Sequence, residues 1–380
     1  MKHVFIVGSR GYHYNYGGWE TFTSNLVDHY NDKNTIFHVS MYTDDETLKE
    51  KKINDNIFVT PICVKNKGSI KMFIYSVKAY KHYLKEIKNK NLKNCYIYVL
   101  GLKLFNYLWL KEKYTKKLGI KVFVNPDGLE WMRSKWSYPI KRFFLLSEKL
   151  MLNHCDKIIC DGLGIQKYIN NKYPKLKKKT TFIAYGYENI DLSKTNEKKV
   201  LEEYKLSKND YCLIVGRCVP ENNYELIIKD YMKSKMTKKL VIISNLTGST
   251  YYQEIINNTS CDKDKRIVFI DGVYDKEKLA IIRKNAYLYI HGHSVGGTNP
   301  SLIEALSLTD LNVLYDVCFN KDVGLNTCLY FKESGSLTKI LNDEKNLDKK
   351  KKELGPKAKK RVQESFTWDI IINEYKKIFK

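Results

Sequence analysis

The 380-residue chain has few of the features that define secreted, zinc-binding or membrane-spanning proteins. Its nine cysteines form no Cys-x-x-Cys pair and their number is odd, which disfavours both a disulfide framework and a cysteine zinc site. No apolar run reaches the roughly 18 residues needed to span a bilayer. The first strand pattern begins within a few residues of Met1, so we expect no signal peptide and a cytoplasmic protein with reduced thiols.

Arginine is also scarce, although the chain is strongly basic. Only seven of its 66 basic residues are arginine, and the net charge is +24. Nucleic-acid-binding proteins usually add arginine forks or a recognisable module, and neither is visible here. The remaining interpretations are a solvated lysine-rich surface, a polyanionic ligand, or attraction to an anionic membrane surface. We therefore expect no nucleic-acid partner, and any association with the cytoplasmic face of the membrane is expected to be peripheral.

Short β-branched runs alternate with amphipathic segments along most of the chain, which is typical of parallel sheets covered by helices. One series occupies residues 1–190 and a second occupies 211–364, so the polar segment 191–210 is interpreted as a linker. The apolar residues of 365–380 need a surface and predict a terminal helix that crosses back to the first domain. The predicted fold is two Rossmann-like parallel α/β domains facing a cleft, with ligands bound beyond the strand ends.

A long glycine loop, "VGSRGYHYNYGGWETF" (7–22), follows the first strand pattern. Its spacing is not that of the dinucleotide-binding fingerprint. Gly17 and Gly18 stand at the start of a helix, where free N–H groups favour an anion, but simple turn geometry is an alternative. The tyrosines between the glycines, Tyr12, Tyr14 and Tyr16, either line an acceptor site or pack the loop.

Two carboxylates directly follow strand patterns of the first domain. Asp127 lies in "VNPDGLEW" and Asp161 in "IICDGLG". A carboxylate at a strand end can orient or deprotonate a hydroxyl group. Alternatively, Asp127 closes a Pro-Asp-Gly turn and Asp161 caps the next helix. Trp131 and Trp136 either stack on a sugar or pack in the core or a lid.

The second domain opens with "LIVGRCVPENNYELII" (213–228). Arg217 follows the strand, and a guanidinium there can bind a diphosphate through paired hydrogen bonds. Glu221 and Asn222 precede a helix, so both ligand contact and helix capping fit them.

The most informative stretch, "YIHGHSVGGTNPSLIEALSL" (289–308), leads from a strand into a helix. Pro300 and the polar residues around it mark a helix start whose N–H groups form an anion cradle. The predicted donor-binding residues there are Gly296, Gly297, Thr298, Asn299 and Ser301. Glu304, one turn further, could accept hydrogen bonds from sugar hydroxyls. His291 and His293 have no carboxylate at a ligand spacing, so no metal site is expected.

Five motifs in this order resemble the GT-B glycosyltransferases of glycosyltransferase family four. The motifs "VGSRG…YGGWETF", "NPDGLEW-RSKW", "TTFIAYG", "VGRCVPENNYE" and "HGHSVGGTNPSLIEAL" are most similar to those of bacterial β-1,4-rhamnosyltransferases, from residue 1 to about residue 330. The resemblance implies sugar transfer from a nucleotide donor with retention of configuration and no obligatory metal. It further implies dTDP-rhamnose as donor and a lipid-diphosphate-linked saccharide as acceptor, in capsule or cell-wall polysaccharide assembly.

The resemblance also implies roles for single residues. Arg217 matches the diphosphate-binding arginine, whereas Asn222 stands where many members have a lysine. Glu304 matches the second glutamate of the paired-glutamate motif, and Gly296 stands near the place of the first. Tyr185 of "TTFIAYG" joins the expected donor-binding residues. Asp127, Asp161 and Glu304 are the candidate catalytic residues. The alternatives are another donor (UDP-glucose, UDP-galactose or UDP-GlcNAc), a nucleotide-sugar epimerase, or a basic nucleic-acid-binding protein.

Overall fold

A computed structural model describes residues 1–13, 17–65, 68, 70–133 and 136–380. Tyr14 and Tyr16 of the glycine loop therefore lie outside the described residues, as do positions 134–135 of the second motif. The chain divides into two compact units. The first unit comprises Met1–Gly186 and Trp368–Lys380, and the second comprises Tyr187–Thr367.

The first unit is built on an eight-stranded sheet. Its strands are β1 (Lys2–Val7), β2 (Thr35–Thr43), β3 (Lys51–Asn54), β4 (Ile57–Cys63), β5 (Cys95–Leu100), β6 (Lys121–Asn125), β7 (Lys157–Cys160) and β8 (Thr180–Phe182). Its first helices are α1 (Gly18–His29), α2 (Lys71–Asn89), α3 (Tyr107–Lys117), α4 (Tyr138–Asn153) and α5 (Leu163–Lys172). All neighbouring strands are parallel except β3 and β4. Every residue of β5 is buried, as expected for a parallel strand covered on both faces.

The order of the strands locates a topological switch point in this sheet. The order is β3-β4-β2-β1-β5-β6-β7-β8, so the chain moves outward from β1 to β2 and β4, then returns to the other side of β1. The segments that follow β1 and β5 therefore diverge. Open parallel sheets bind ligands at such a crevice, beyond the carboxyl ends of the strands.

The second unit has a six-stranded parallel sheet in the order β11-β10-β9-β12-β13-β14. Its elements are α6 (Glu197–Glu203), β9 (Tyr211–Val215), α7 (Tyr224–Lys233), β10 (Lys239–Ser244), α8 (Thr250–Thr259), β11 (Ile267–Asp271), α9 (Lys276–Asn285), β12 (Leu288–His291), α10 (Pro300–Leu308), β13 (Asn312–Tyr315), α11 (Cys318–Gly324), β14 (Leu329–Phe331), α12 (Ser336–Leu341) and α13 (Glu344–Ser365). The switch point lies between β9 and β12. Ile214, Ile242 and Ile290 from three of these strands are buried in one apolar core.

The segment 191–210, predicted as a linker, contains a helix and packs on the second unit. It contains α6, and Val200, Leu201 and Leu206 are buried in the apolar core of the second unit. These apolar side chains pack because they stand on one face of an otherwise charged segment, which the composition alone concealed.

The last helix, α14 (Trp368–Ile378), belongs to the first unit. The Tyr375 ring lies 6.0 Å from that of Phe22, and the Phe379 ring stacks on Phe123 at 5.6 Å. No helix among the described residues is both long enough and apolar enough to cross a membrane.

Candidate functional site

The glycine loop begins at the end of β1, where Gly8 lies against Leu100 at the end of the neighbouring strand β5. Gly8 has a φ of +108°, and a Cβ atom at this position would lie 2.3 Å from the carbonyl oxygen of Leu100. A side chain at position 8 would therefore push the two strand ends apart. The Lys103 ammonium, which follows β5, donates a hydrogen bond of 3.3 Å to the Gly8 carbonyl. Gly8 and Lys103 together fix the crevice at the switch point.

The two glycines at the start of α1 differ in their surroundings. Gly17 has a φ of +140°, and a Cβ there would lie 1.8 Å from Glu20 Oε2. The other oxygen of the buried Glu20 accepts a hydrogen bond of 2.9 Å from the Arg10 amide. Gly18, by contrast, has no atom within 4 Å of the place of its Cβ. Turn geometry thus accounts for Gly17, whereas ligand approach at Gly18 stays a prediction.

Asp127 lies in a turn at the end of β6. Asn125 Oδ1 accepts a hydrogen bond of 2.9 Å from the Asp127 amide, so Asn125 rather than Asp127 closes the turn. Asp127 itself has a φ of +65°, and its Oδ1 accepts 2.8 Å from the Gly128 amide. This unusual backbone conformation keeps the carboxylate at the edge of the sheet.

Asp161 directly follows β7 and is 2 % exposed. The helix-capping alternative is wrong, because Gly162 is the N-cap of α5 and no side chain caps that helix. Burial, with a smaller contribution from the Asp127 charge, raises the pKa of Asp161 to about 7. A hydrogen bond from Tyr185 and the positive charge of Arg133 oppose that rise. The structure therefore brings Asp127, Asp161 and Tyr185, which was predicted to bind the sugar donor, together at one edge of the first sheet.

Basic side chains that the sequence did not single out surround this carboxyl pair. Burial raises the pKa of Asp127, while Arg133 and, more weakly, Lys103 oppose it. Burial lowers the pKa of Lys103, and the Asp127 charge counteracts that effect. Arg133 Nε lies 2.6 Å from Glu130 Oε2. Lys103 and Arg133 both lie in segments that follow a strand. In a lysine-rich chain, that position alone does not distinguish Lys103 from the other lysines.

The two tryptophans of the second motif pack within the first unit. Trp136 Nε1 donates a hydrogen bond of 2.8 Å to Glu130 Oε1, and its ring lies 5.4 Å from that of Phe144. The Trp131 ring lies 6.1 Å from the Tyr168 ring. These contacts fit the packing alternative, and stacking on a sugar stays a prediction.

In the second unit, Arg217 stands at the carboxyl end of β9 and is exposed. Within the described part of the chain, its guanidinium makes none of the side-chain hydrogen bonds or ion pairs that hold Arg266 and Arg283. A guanidinium with open donors can bind a phosphate group through two parallel hydrogen bonds. Diphosphate binding by Arg217 stays a prediction.

Asn222 joins the loops that follow β9 and β12. Its amide nitrogen donates 2.7 Å to the Arg217 carbonyl, and its Oδ1 lies 2.8 Å from His293 Nδ1. The Glu221 carbonyl accepts hydrogen bonds of 2.9 and 2.8 Å from the Ser294 amide and hydroxyl. Glu221 and Asn222, both predicted to bind the sugar donor, thus form hydrogen bonds to the loop that follows β12. Asn222 also holds the backbone of Arg217 in place.

The start of α10 is capped from within the unit. Asn299 accepts a hydrogen bond of 2.9 Å from the Ser301 amide, as a helix cap does. The Ser301 hydroxyl in turn accepts 3.0 Å from Arg283 Nη2. Gly296, Gly297 and Thr298 form the turn before the cap, with Thr298 buried. His291 at the end of β12 is 4 % exposed, and its Nε2 has no partner among the described residues.

Glu304 forms an ion pair that the sequence did not reveal. Its Oε2 lies 2.7 Å from Nη1 of Arg283, whose side chain is 3 % exposed, whereas the Glu304 side chain is 37 % exposed. Arg283 therefore orients the glutamate and leaves part of it accessible. Contact of Glu304 with a donor hydroxyl stays a prediction. Among the residues that the structure describes, no three potential metal-ligating side chains cluster.

Comparison with solved structures establishes the fold class. A sucrose-phosphate synthase from Thermosynechococcus elongatus superimposes with a TM-score of 0.79 at 14 % identity, covering 100 % of this chain and 98 % of that chain. The Anabaena protein HepE in complex with UDP superimposes with a TM-score of 0.70 at 13 % identity, covering 100 % of this chain and 99 % of that chain. The two-domain fold with parallel sheets is that of the GT-B glycosyltransferases, so the fold class predicted from the sequence is confirmed.

The sequence itself has more specific relatives. Residues 1–188 match a family described as "Domain of unknown function (DUF1972)". An uncharacterized glycosyltransferase of Methanocaldococcus jannaschii is 25 % identical over 292 residues, which are 73 % of this chain and 71 % of that protein.

Proposed function

We propose that the protein is a retaining glycosyltransferase that moves a sugar from a nucleotide-sugar donor to an acceptor hydroxyl. The observation that carries the proposal is chemical complementarity between the two switch points. One has two neighbouring carboxyls, the half-buried Asp127 and the buried Asp161, with a pKa near 7 for Asp161. The other has the exposed guanidinium of Arg217. Similarity to a protein named as a glycosyltransferase, and a fold shared with a protein solved with UDP, support this reading.

The positive charge of the second unit acts on the leaving group. Negative charge grows on the diphosphate as the bond from the sugar to the phosphate breaks, and preorganised donors stabilise that charge. Arg217 and the N–H groups of 296–299 provide these donors, and Glu304 binds donor hydroxyls. The proposed reaction has no obligatory metal, because Arg217 and the helix start provide the positive charge.

The carboxyls of the first unit act on the acceptor. A group with a pKa near 7 is close to the ideal for moving a proton at neutral pH. Asp161 therefore orients the acceptor hydroxyl or takes its proton. Burial raises the pKa of Asp161, the charge of Asp127 raises it further, and the hydrogen bond from Tyr185 lowers it. In front-face attack, the leaving phosphate takes the proton and Asp161 only orients the hydroxyl.

The specific substrates we propose are dTDP-rhamnose and a lipid-diphosphate-linked saccharide, used at the cytoplasmic face of the membrane in surface polysaccharide assembly. The ordered motifs shared with bacterial β-1,4-rhamnosyltransferases support the donor. The net charge of +24 favours an anionic membrane surface and an anionic lipid acceptor.

The test is a transfer assay with a panel of donors: dTDP-rhamnose, UDP-glucose, UDP-galactose and UDP-GlcNAc, each with lipid-linked acceptors. Mass spectrometry identifies the product and NMR its anomeric configuration. We expect transfer that is lost in Arg217→Ala and kept in Lys263→Ala, a matched exposed cation of the same unit. Absence of transfer from every donor, or equal product from Arg217→Ala, refutes the proposal. Donor isomerisation without acceptor indicates an epimerase, and steeply salt-dependent DNA or RNA binding without transfer indicates a nucleic-acid-binding protein.

A further inference from the structure

The first unit contains an apolar cavity of about 640 Å³. It lies between the first half of α2, the segment that follows β5, and the start of α4. Phe73, Ile74 and Val77 line it from one face of α2, since residues three or four apart share a helix face. Its volume is within the range of small-molecule sites, which are mostly apolar with a few polar groups.

Aromatic rings form one wall of this cavity. The Phe105 ring stacks on Phe143 with 4.9 Å between centroids, and Phe73 meets Phe143 at 5.4 Å. Phe105 has a φ of +49°, a left-handed conformation that bulky residues rarely adopt. Strained backbone of this kind persists only where the surroundings enforce it, and it clusters at ligand sites. The packing around Phe105 therefore enforces the position of this ring in the cavity wall.

The mouth of the cavity is apolar and exposed. Ile70 is 58 % exposed and Ile140 is 36 % exposed, and both line the cavity. Such side chains face water at a cost unless a partner covers them. The cavity is thereby open to an apolar molecule that enters from solvent or from a membrane surface.

The charged residues that line the cavity are all basic. They are Lys78, Lys81 and Lys103, and no acidic residue is among the described residues that line it. Lys81 lies with its ammonium 5.2 Å from the centre of the Tyr107 ring, at the side of the cavity. An apolar cavity with lysines alone selects an apolar ligand that carries negative charge.

One end of the cavity coincides with the candidate catalytic edge. Lys103 lines the cavity and also bonds to the Gly8 carbonyl, at 3.3 Å. Trp136 lines it as well and donates to Glu130, whose charge acts on Asp127. A ligand that contacts Lys103 and Trp136 therefore lies close to residues that act on the carboxyl pair.

We propose that this cavity binds the hydrocarbon chain of an anionic lipid, with the phosphate group of the lipid held by Lys81 and Lys103. An apolar peptide would not need the lysines, and a second copy of this basic chain would be repelled by them. That this lipid is the sugar acceptor rests on the proposed function. The cavity then places the saccharide end of the acceptor at Asp127 and Asp161.

The test measures binding alone, by titration calorimetry without any donor. The probes are farnesyl diphosphate, farnesol and inorganic diphosphate. We expect farnesyl diphosphate to bind at least tenfold more tightly than either of the others. Lys81→Glu should weaken the binding of farnesyl diphosphate at least tenfold. Lys85 is an exposed lysine of α2 outside the cavity, so Lys85→Glu should leave this binding unchanged. Equal affinity for farnesyl diphosphate and inorganic diphosphate overturns the proposal.

Two further variants test the apolar part. Val77→Trp fills the cavity, and Ile140→Asp places a charge at its exposed mouth, where a change in folding is not expected. Both variants should weaken the binding of farnesyl diphosphate at least tenfold and leave the binding of inorganic diphosphate unchanged. Wild-type affinity in a folded Ile140→Asp variant overturns the proposal even where Val77→Trp fails to fold. Binding only to vesicles of anionic phospholipid, and not to farnesyl diphosphate, assigns the patch to a membrane surface and overturns the cavity site.

The same measurements separate this inference from the proposed function. Farnesyl diphosphate binding without transfer of any sugar refutes the proposed function alone. Transfer to a lipid-free acceptor, with no binding of farnesyl diphosphate, refutes the cavity site alone.

Discussion

The buried carboxyl of Asp161 leads to a prediction about stability that is independent of catalysis. In the folded protein its pKa is about 7, against an ordinary value of 3.8. The folded state thus retains a proton that the unfolded chain releases at a lower pH. Because the folded state binds more protons between these two values, the free energy of unfolding must fall as pH rises through this window. Asp161→Asn has nearly the same shape and no ionisable group, so it should escape this loss.

The size of the effect follows from the two pKa values. The difference between about 7 and 3.8 corresponds to roughly 4 kcal/mol, at about 1.4 kcal/mol per pKa unit. This is an upper limit, because relaxation and water penetration reduce the cost of a buried charge. We expect Asp161→Asn to stabilise the first unit by about 2–4 kcal/mol near pH 8 and by less than about 1 kcal/mol near pH 4.

The assay is calorimetric unfolding of wild type and variant across this pH range, with the transition of the first unit followed separately. Asp55→Asn is the control, because Asp55 is an exposed carboxylate that pairs with Lys52 at 2.7 Å. The control should show no stabilisation that grows with pH. If Asp161→Asn and wild type lose stability in parallel between about pH 4 and pH 8, the unfavourable ionisation does not belong to Asp161, and the reasoning is refuted.

Four other substitutions test the two switch points. Arg217→Ala should lower kcat/KM for transfer by about 10²–10³-fold without lowering the melting temperature, since the side chain is exposed; an unchanged kcat/KM contradicts its role. Arg283→Met should cost the second unit roughly 2 kcal/mol in urea unfolding, a value reduced because Glu304 is 37 % exposed; wild-type stability would show that the ion pair is unimportant. Gly8→Ala should destabilise the first unit by at least about 2 kcal/mol, since its Cβ would lie 2.3 Å from a carbonyl oxygen. Gly18→Ala should leave the melting temperature unchanged and lower the turnover of sugar transfer. Equal melting temperatures for the two variants contradict the geometry.

Most of both sheets was predictable because parallel strands are buried on two faces. A run such as "CYIYVL" in β5 can only be a core strand or a core helix, and its length decides between them. The antiparallel edge strand β3, "KKIN", was not predictable, since all four residues are exposed and only Ile53 is apolar. The helix α6 was missed for a related reason: its few buried residues are diluted by charge.

The candidate site was predictable only where a side chain follows a strand. Asp127 and Asp161 follow neighbouring strands of the first sheet, and Arg217 follows a strand of the second sheet. The carboxyl ends of parallel strands lie at one edge of their sheet, so these positions were expected at the ligand-binding edges. Arg283 does not, because it lies inside α9 and reaches Ser301 and Glu304 only through the packing of α9 on α10. Burial, which raises the pKa of Asp161, is likewise a property of the assembled unit and not of the local sequence.

The separation of charge between the two switch points has a chemical reason. A proton acceptor with a pKa near 7 must be shielded from cations, since a close unpaired arginine would keep it ionised at every pH of interest. Burial and the charge of Asp127 raise the pKa of Asp161 by more than Arg133 lowers it, and the Arg133 guanidinium is itself paired with Glu130 at 2.6 Å. The leaving diphosphate of the donor requires a guanidinium with open donors, and Arg217 is exposed and without a carboxylate partner among the described residues. If one sheet edge had both groups, each would neutralise the other. The two units therefore carry two electrostatic environments that a single edge could not maintain.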